Sequence, residues 1–211
     1  MKESVPPQIF ALIPAAGKSV RMGRPKLSLP LGNKTIIEHV VTAFRCVSTN
    51  VVVMLAPHTS DLAPLIASTG GQPILMPTET PDMRATTEHG LDWLEANCHP
   101  DAKDYWFLSP ADHPTLDPAV LHYLLSCLKA EPEKSLFLPT YKGKRGHPAL
   151  VSWKHVNGIR QWDRDKGLNT YFRSCITDTM ECEVDNEEIF RDLDTPEDYQ
   201  RLLKEWKAVS G

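Results

Sequence analysis

Short apolar, β-branched runs alternate with helical patterns along nearly the whole chain, and this alternation constrains the fold more than any other feature. A strand buried on both faces reads as a continuous apolar run. Such strands separated by helix-length segments belong to a mostly parallel sheet with helices on both sides. Residues 9–13, 51–55, 73–76, 105–108 and 136–138 are the candidate strands. Ile36, Ile37, Val40, Val41 and Phe44 share one face of a helix opened by Thr35 and Glu38 as a capping box. Asp117 as cap, Pro118 in the first turn and the stripe Val120, Leu121, Leu124 mark a second helix. Thr195, Pro196, Glu197 and Asp198 start a last one, with Tyr199, Leu202, Leu203 and Trp206 on its buried face. From residue 141 to 182 the periodicity is poor around Trp153, Trp162, Tyr171 and Phe172, and short strands and helices over the sheet edge are expected. Residues 1–8 read as a flexible terminus. The expectation is one α/β domain over residues 1–211, a Rossmann-like three-layer arrangement.

A formal net charge of -4 argues against a nucleic-acid-binding surface or a polybasic membrane patch. The early apolar run, residues 9–16, contains Pro14, lacks a basic flank and is too short to span a bilayer, so a cytoplasmic location is expected. The five cysteines form no CxxC pair and read as reduced thiols. An anionic ligand must then be held by local charge.

That charge lies after the first strand, in Pro14, Ala15, Ala16, Gly17, Lys18, Ser19, Val20, Arg21, Met22, Gly23, Arg24, Pro25, Lys26. Small residues let backbone approach a ligand, and successive N–H groups in such a turn form an anion-binding concavity. Lys18, Arg21, Arg24 and Lys26 would suit a triphosphate. A P-loop needs glycine where this chain has Leu12, and the dinucleotide fingerprint needs a middle glycine between Gly17 and Gly23, so both motifs fail. The remaining readings are a solvated basic loop or a different nucleotide loop.

The stretch resembles the signature loop of the nucleotidyltransferases typified by the molybdenum cofactor transferases: small residues and Gly, then Ser, a variable residue, Arg-Met-Gly and a following Lys. Gly17, Ser19, Arg21, Met22, Gly23 and Lys26 match in order. Pro14-Ala15-Ala16-Gly17 resembles the cytidylyltransferase branch, whereas guanylyltransferases carry Leu-Ala-Gly-Gly. Ala111-Asp112-His113-Pro114 resembles the motif whose Asp binds Mg2+ in that group, and Asp192-Leu193-Asp194-Thr195-Pro196-Glu197-Asp198 resembles its end motif. Asp194 and Asp198 read as helix N-terminal residues, and Asp192, preceding the cap, as the second metal ligand. Arg145-Gly146-His147-Pro148, otherwise a hairpin turn, resembles a segment beside the acceptor pocket and marks Arg145 and His147 as acceptor contacts. The segment Pro81 to Leu91 departs from the group's small Gly-Ser-Ser run, with Arg84, Thr86 and Thr87 in its place; it reads as a polar helix start with Thr86 or Thr87 as cap.

The resemblance implies transfer of CMP from CTP to the phosphate of the molybdopterin cofactor, with Mg2+ at Asp112 and Asp192 and release of pyrophosphate. Lys26 and Arg21 are expected to hold the triphosphate with the Pro14, Ala15, Ala16 and Gly17 backbone. A client molybdoenzyme is an implied partner. His113 is read as a neighbour, since a phosphate monoester is already ionised and needs no base. A related transferase using GTP or a sugar-phosphate acceptor, and a non-catalytic cofactor carrier, are the alternatives.

Overall fold

A computed structural model describes residues 6–210; the flexibility expected for residues 1–5 lies outside the described residues. The elements run β1 (Ile9–Pro14), β2 (Pro30–Leu31), β3 (Lys34–Thr35), α1 (Ile36–Arg45), β4 (Asn50–Leu55), α2 (Ala63–Ser68), β5 (Gln72–Leu75), α3 (Met83–Cys98), β6 (Tyr105–Leu108), α4 (Pro118–Ala130), β7 (Leu136–Tyr141), β8 (Lys144–Arg145), β9 (Ala149–Ser152), α5 (Val156–Gln161), α6 (Leu168–Ser174), β10 (Thr179–Glu183) and α7 (Pro196–Ser210). Gln8, expected within the flexible terminus, is instead held: its N–H donates to Asp104 Oδ1 at 2.8 Å and its carbonyl accepts from Tyr105 N at 2.9 Å.

The main sheet has the order β10-β7-β9-β6-β1-β4-β5, with β8 paired to β7. β1 lies parallel to both β4 and β6, with Ala11 beside Val51 and Phe107. Within this sheet, among the described residues, only β8 and β9 run against their neighbours. The fold is therefore the expected mixed α/β three-layer one with a mostly parallel sheet. The 141–182 region differs from expectation: β9 is inserted between β6 and β7 rather than laid over the edge, and β10 takes the edge.

Successive side chains alternate across a strand. Phe10, Leu12, Val52, Met54, Trp106 and Leu108 accordingly share one core with Leu91 and Leu94 of α3, Ile159 of α5 and Phe172 of α6. Ala11, Ile13, Val51, Val53 and Phe107 share the other with residues of α1, α4 and α7. Each fully buried Val, Leu, Ile, Phe or Met side chain among them contributes about 1.5–3 kcal/mol. Trp153 and Tyr171, which carried no clear period, are aromatic filling of the first core. Gly90 sits mid-helix in α3, normally a cost of about 1 kcal/mol. A Cβ there would lie 2.3 Å from Leu12 Cδ1, so the glycine allows α3 to lie close on β1.

Helix starts follow local chemistry. Glu38 accepts from the Thr35 N–H at 2.7 Å, and Asp117 Oδ1 accepts from Ala119 N at 2.8 Å. No helix of the described residues is long and apolar enough to cross a membrane. The loops following β1 and β6 leave the carboxyl ends of adjacent parallel strands, where open α/β sheets present ligand-binding groups.

Candidate active site

After β1 the chain is pinned by the Ala15 N–H on the Met54 carbonyl at 2.9 Å. Ser19 adopts the left-handed conformation (φ 50°), and its carbonyl accepts from Met22 N at 3.1 Å and Gly23 N at 3.2 Å. Gly23 (φ 69°) then takes a conformation that costs a glycine nothing. Met22 is 3% exposed and packs into the core, so it anchors the loop rather than facing a ligand. The turn brings Lys26 back over the end of the sheet.

Lys26 Nζ is bonded to Asp112 Oδ2, and it lies 3.1 Å from Asp194 Oδ1. Arg21 Nη2 reaches the same Asp194 oxygen at 2.9 Å from a largely exposed position. Burial disfavours the Lys26 charge, but the carboxylates of Asp112 and Asp194 outweigh it and hold the ammonium pKa above the usual lysine value. Asp194, read from the sequence as a helix-terminal residue, instead turns its carboxylate onto the two loop cations. The cap is made without it: the Thr195 N–H and hydroxyl both donate to Asp198 Oδ2, at 2.9 and 2.7 Å, and the Asp198 N–H returns to Thr195 Oγ1 at 3.2 Å.

Asp192 takes a different direction and bonds His113 Nε2. That hydrogen bond outweighs burial and holds the Asp192 carboxyl below its ordinary pKa. The Leu193 N–H donates to the Asp112 carbonyl at 3.2 Å, which joins the two acidic segments. One ligand atom each from Asp112, His113 and Asp192 lie within 4.8 Å of one another. Two carboxylates and an imidazole form a donor set that suits a hard or borderline divalent cation. The sequence reading placed Asp112 and Asp192 there but left His113 without a role.

Two cavities flank this cluster. One, of about 460 Å³, is lined by Pro14, Ala15, Ala16, Gly17, Lys18 and Lys26 on one side and by Thr80, Asp82 and Thr86 on the other. Ser19 lines a small recess beside it, whereas Arg21, Met22 and Gly23 do not line the cavity. The second, of about 370 Å³, is lined by Arg145, His147, Arg164, Lys166 and Arg173 over the apolar surfaces of Leu108, Leu138 and Phe172. Asp82 and Met83 line both. Asp82, not Thr86 or Thr87, caps α3, accepting from Ala85 N at 2.7 Å; the two threonines bond back to carbonyls one turn earlier.

Arg145 and His147 lie on the second cavity through a hairpin and a close contact. Lys142 (φ 51°) and Gly143 (φ 73°) turn β7 into β8, as a two-residue hairpin requires. Arg145 Nε then donates to Glu181 at 2.8 Å. At Gly146 a Cβ would lie 2.6 Å from the Ile189 carbonyl oxygen, the same oxygen that accepts from His147 N at 2.9 Å. The His147 ring stands edge-on to His113 with centroids 5.4 Å apart. Burial and the neighbouring His113 push its pKa down to about 4, and its buried Nδ1 has no partner among the described residues.

Residues 11–180 match the MobA-like NTP transferase domain. The chain belongs to this family. This MobA-like protein is a nucleotidyltransferase, and it is 26% identical over 191 residues to the molybdenum cofactor cytidylyltransferase of Escherichia coli (strain K12), covering 90% of this chain and 93% of that one. Its fold is similar to that of Rv0371c from Mycobacterium tuberculosis H37Rv (TM-score 0.74, 22% identity, 95% and 100% of the two chains), a protein also crystallised as a manganese complex. It is similar as well to a 4-diphosphocytidyl-2C-methyl-D-erythritol synthase (TM-score 0.72, 14% identity, 95% and 99%).

Sequence reasoning missed the inward role of Asp194 and the second wall of the larger cavity in this MobA-like transferase. Thr80, Asp82 and Thr86 carry no pattern that separates a cavity wall from an ordinary helix start. Arg164, Lys166 and Arg173 lie in the polar stretch whose period was unreadable.

Proposed function

We propose that this MobA-like transferase moves CMP from CTP onto the phosphate of the molybdopterin cofactor, releasing pyrophosphate in a Mg2+-dependent reaction. The observation that carries the reading is Lys26, held between Asp112 and Asp194 at the edge of a cavity walled by Pro14, Ala15, Ala16 and Gly17. The Ala16 methyl favours a pyrimidine over a bulkier purine, and the similarity to a cytidylyltransferase supports the same base. The reading extends to a cytoplasmic enzyme that passes its product to a client molybdoenzyme.

In-line attack on the α-phosphorus builds charge on the leaving pyrophosphate, so positioning and electrostatics dominate such catalysis. Lys26 stays charged and, with its donors already aimed at oxygen, can follow the developing charge on the leaving group. Arg21 closes on the same charge from the rim, and the backbone around Gly17 supplies further donors. Asp112 and Asp192 are the residues to hold Mg2+, with His113 as a third donor. A divalent ion held by these residues would supply positive charge to the reacting phosphates; the manganese complex of Rv0371c supports a divalent ion in this fold. His113 needs no role as base, since a phosphate monoester acceptor is already ionised near neutral pH.

On the other side, Arg145 offers charge to the acceptor and the neutral His147 offers Nδ1. The wall shared through Asp82 and Met83 brings the two cavities side by side, which suits a reaction between two bound phosphates. Pyrophosphate release from CTP and Mg2+ with purified molybdopterin cofactor tests the proposal. Acceptor-dependent release is expected; cofactor binding without release would identify a carrier instead.

A further inference from the structure

One buried cation remains outside this account. Arg84, in the first turn of α3, is only 6% exposed. Its Nε donates to Glu88 Oε1 at 3.0 Å, and Nη2 to the carbonyls of Ile159 at 2.9 Å and Trp162 at 2.8 Å. Nη1 donates to the carbonyls of Lys166 at 2.7 Å and Asp163. A guanidinium has five N–H donors, so all five are used. The free carboxylate oxygen of Glu88 in turn bonds Arg164.

The four carbonyls come from the end of α5 and from the turn that leads into α6. Helix-end carbonyls lack intrahelical partners, and a cation beside them also suits the helix dipole. This turn and α6 supply Arg164, Lys166, Leu168, Phe172 and Arg173 to the smaller cavity. The residues just before Arg84, Asp82 and Met83, line both cavities. One side chain thus ties the turn that lines one cavity to the helix that walls the other.

We propose that Arg84 is a positioning residue for acceptor specificity: it locks the 159–167 turn so that Arg164 and Lys166 face the acceptor's anionic group. The inference rests on the transferase reading above and on the smaller cavity as the acceptor side. Charge alone would not serve. A lysine has three donors on one flexible point and cannot replace a planar fork that reaches five acceptors.

The test compares wild type with Arg84→Lys in steady-state kinetics, varying CTP and molybdopterin cofactor separately, with hydrogen exchange read by mass spectrometry. The acceptor KM should rise about tenfold or more, the CTP KM should stay within about twofold, and exchange should quicken mainly in residues 162–170. Equal changes in both KM values, or an unchanged acceptor KM in folded protein, would overturn the proposal. If Arg84→Lys does not fold, Glu88→Gln takes its place, since it removes the charge of the carboxylate that orients both Arg84 and Arg164 and so loosens the same lock. A selective but smaller rise in acceptor KM is then expected, and no rise overturns the proposal. Should wild type itself transfer nothing to the cofactor, the transferase reading has failed, visibly before any variant is compared, and the acceptor role of Arg84 falls with it.

Discussion

Lys26 and Asp194 are 168 residues apart in sequence and 3.1 Å apart in the folded chain. One comes from the loop after the first strand and the other from the approach to the last helix. Their contact closes the site from both ends of the sequence.

Under the proposed transfer, Lys26→Ala removes a charge-assisted donor from the place where the leaving group would gain charge. Losing such a bond costs about 1.5–3 kcal/mol, so kcat/KM for the nucleotide should fall by roughly tenfold to a hundredfold or more. Arg24→Ala is the control in the same loop. Arg24 is exposed and lies over the Tyr199 ring, 5.3 Å from its centroid. It should change stability by about 0.5 kcal/mol or less and leave kcat/KM within about twofold. Kinetics with thermal melts on both variants check the contrast.

The two aspartates of the end motif should fail in different ways. Asp192→Asn removes a charge from the cluster with Asp112 and His113 and should raise the divalent ion concentration needed for half-maximal turnover. Asp194→Asn loosens Lys26 and Arg21, so nucleotide KM should rise while the metal requirement stays put. Titrations of metal and of CTP on each variant separate the cases, and an identical profile for both would reject the division of roles.

Much of this was legible in sequence, for a physical reason. Fully buried strands such as β1 and β4 must be apolar throughout, and the signature loop must be small, turning and basic, so both leave marks in residue type. The position of β9 leaves none, because an antiparallel strand inside a parallel sheet is as apolar as its neighbours. Arg84 was visible as a departure from small residues, but its five acceptors are mostly backbone carbonyls, which have no sequence signature. Asp194 carried two compatible roles, dipole partner and ion-pair partner, and only the path of the loop decides between them.

Stability should fall on mild acidification before the carboxylates titrate. The folded pKa of His147 is pushed down to about 4 from an ordinary 6.5, and burial also lowers that of His155. A depressed folded pKa means that the unfolded chain binds the proton first, so the stability is present above the unfolded pKa and is lost as pH falls through the folded one. The His147 contribution, up to roughly 3 kcal/mol, should disappear between about pH 6.5 and 4. Asp192, also depressed, adds its loss only below its ordinary value of 3.8. Urea unfolding across this range checks the slope, and His147→Gln should flatten it.

Gly90→Ala should destabilise the protein although alanine is the better helix former. The added methyl meets Leu12, which is fully buried. Overpacking of this kind costs about 1–3 kcal/mol and outweighs the roughly 1 kcal/mol gained in helix propensity. A lower melting temperature is expected, and a higher one would show that α3 can move off β1 without penalty.

The central claim is transfer of CMP to a phosphorylated acceptor at the Lys26, Asp112 and Asp194 cluster. Its most direct test offers the protein all four nucleoside triphosphates together with Mg2+ and molybdopterin cofactor, and reads the product by mass spectrometry. A cytosine dinucleotide form of the cofactor, formed with pyrophosphate and lost in Lys26→Ala, is the predicted result. A guanine adduct, or cofactor recovered unchanged from every nucleotide, would contradict it.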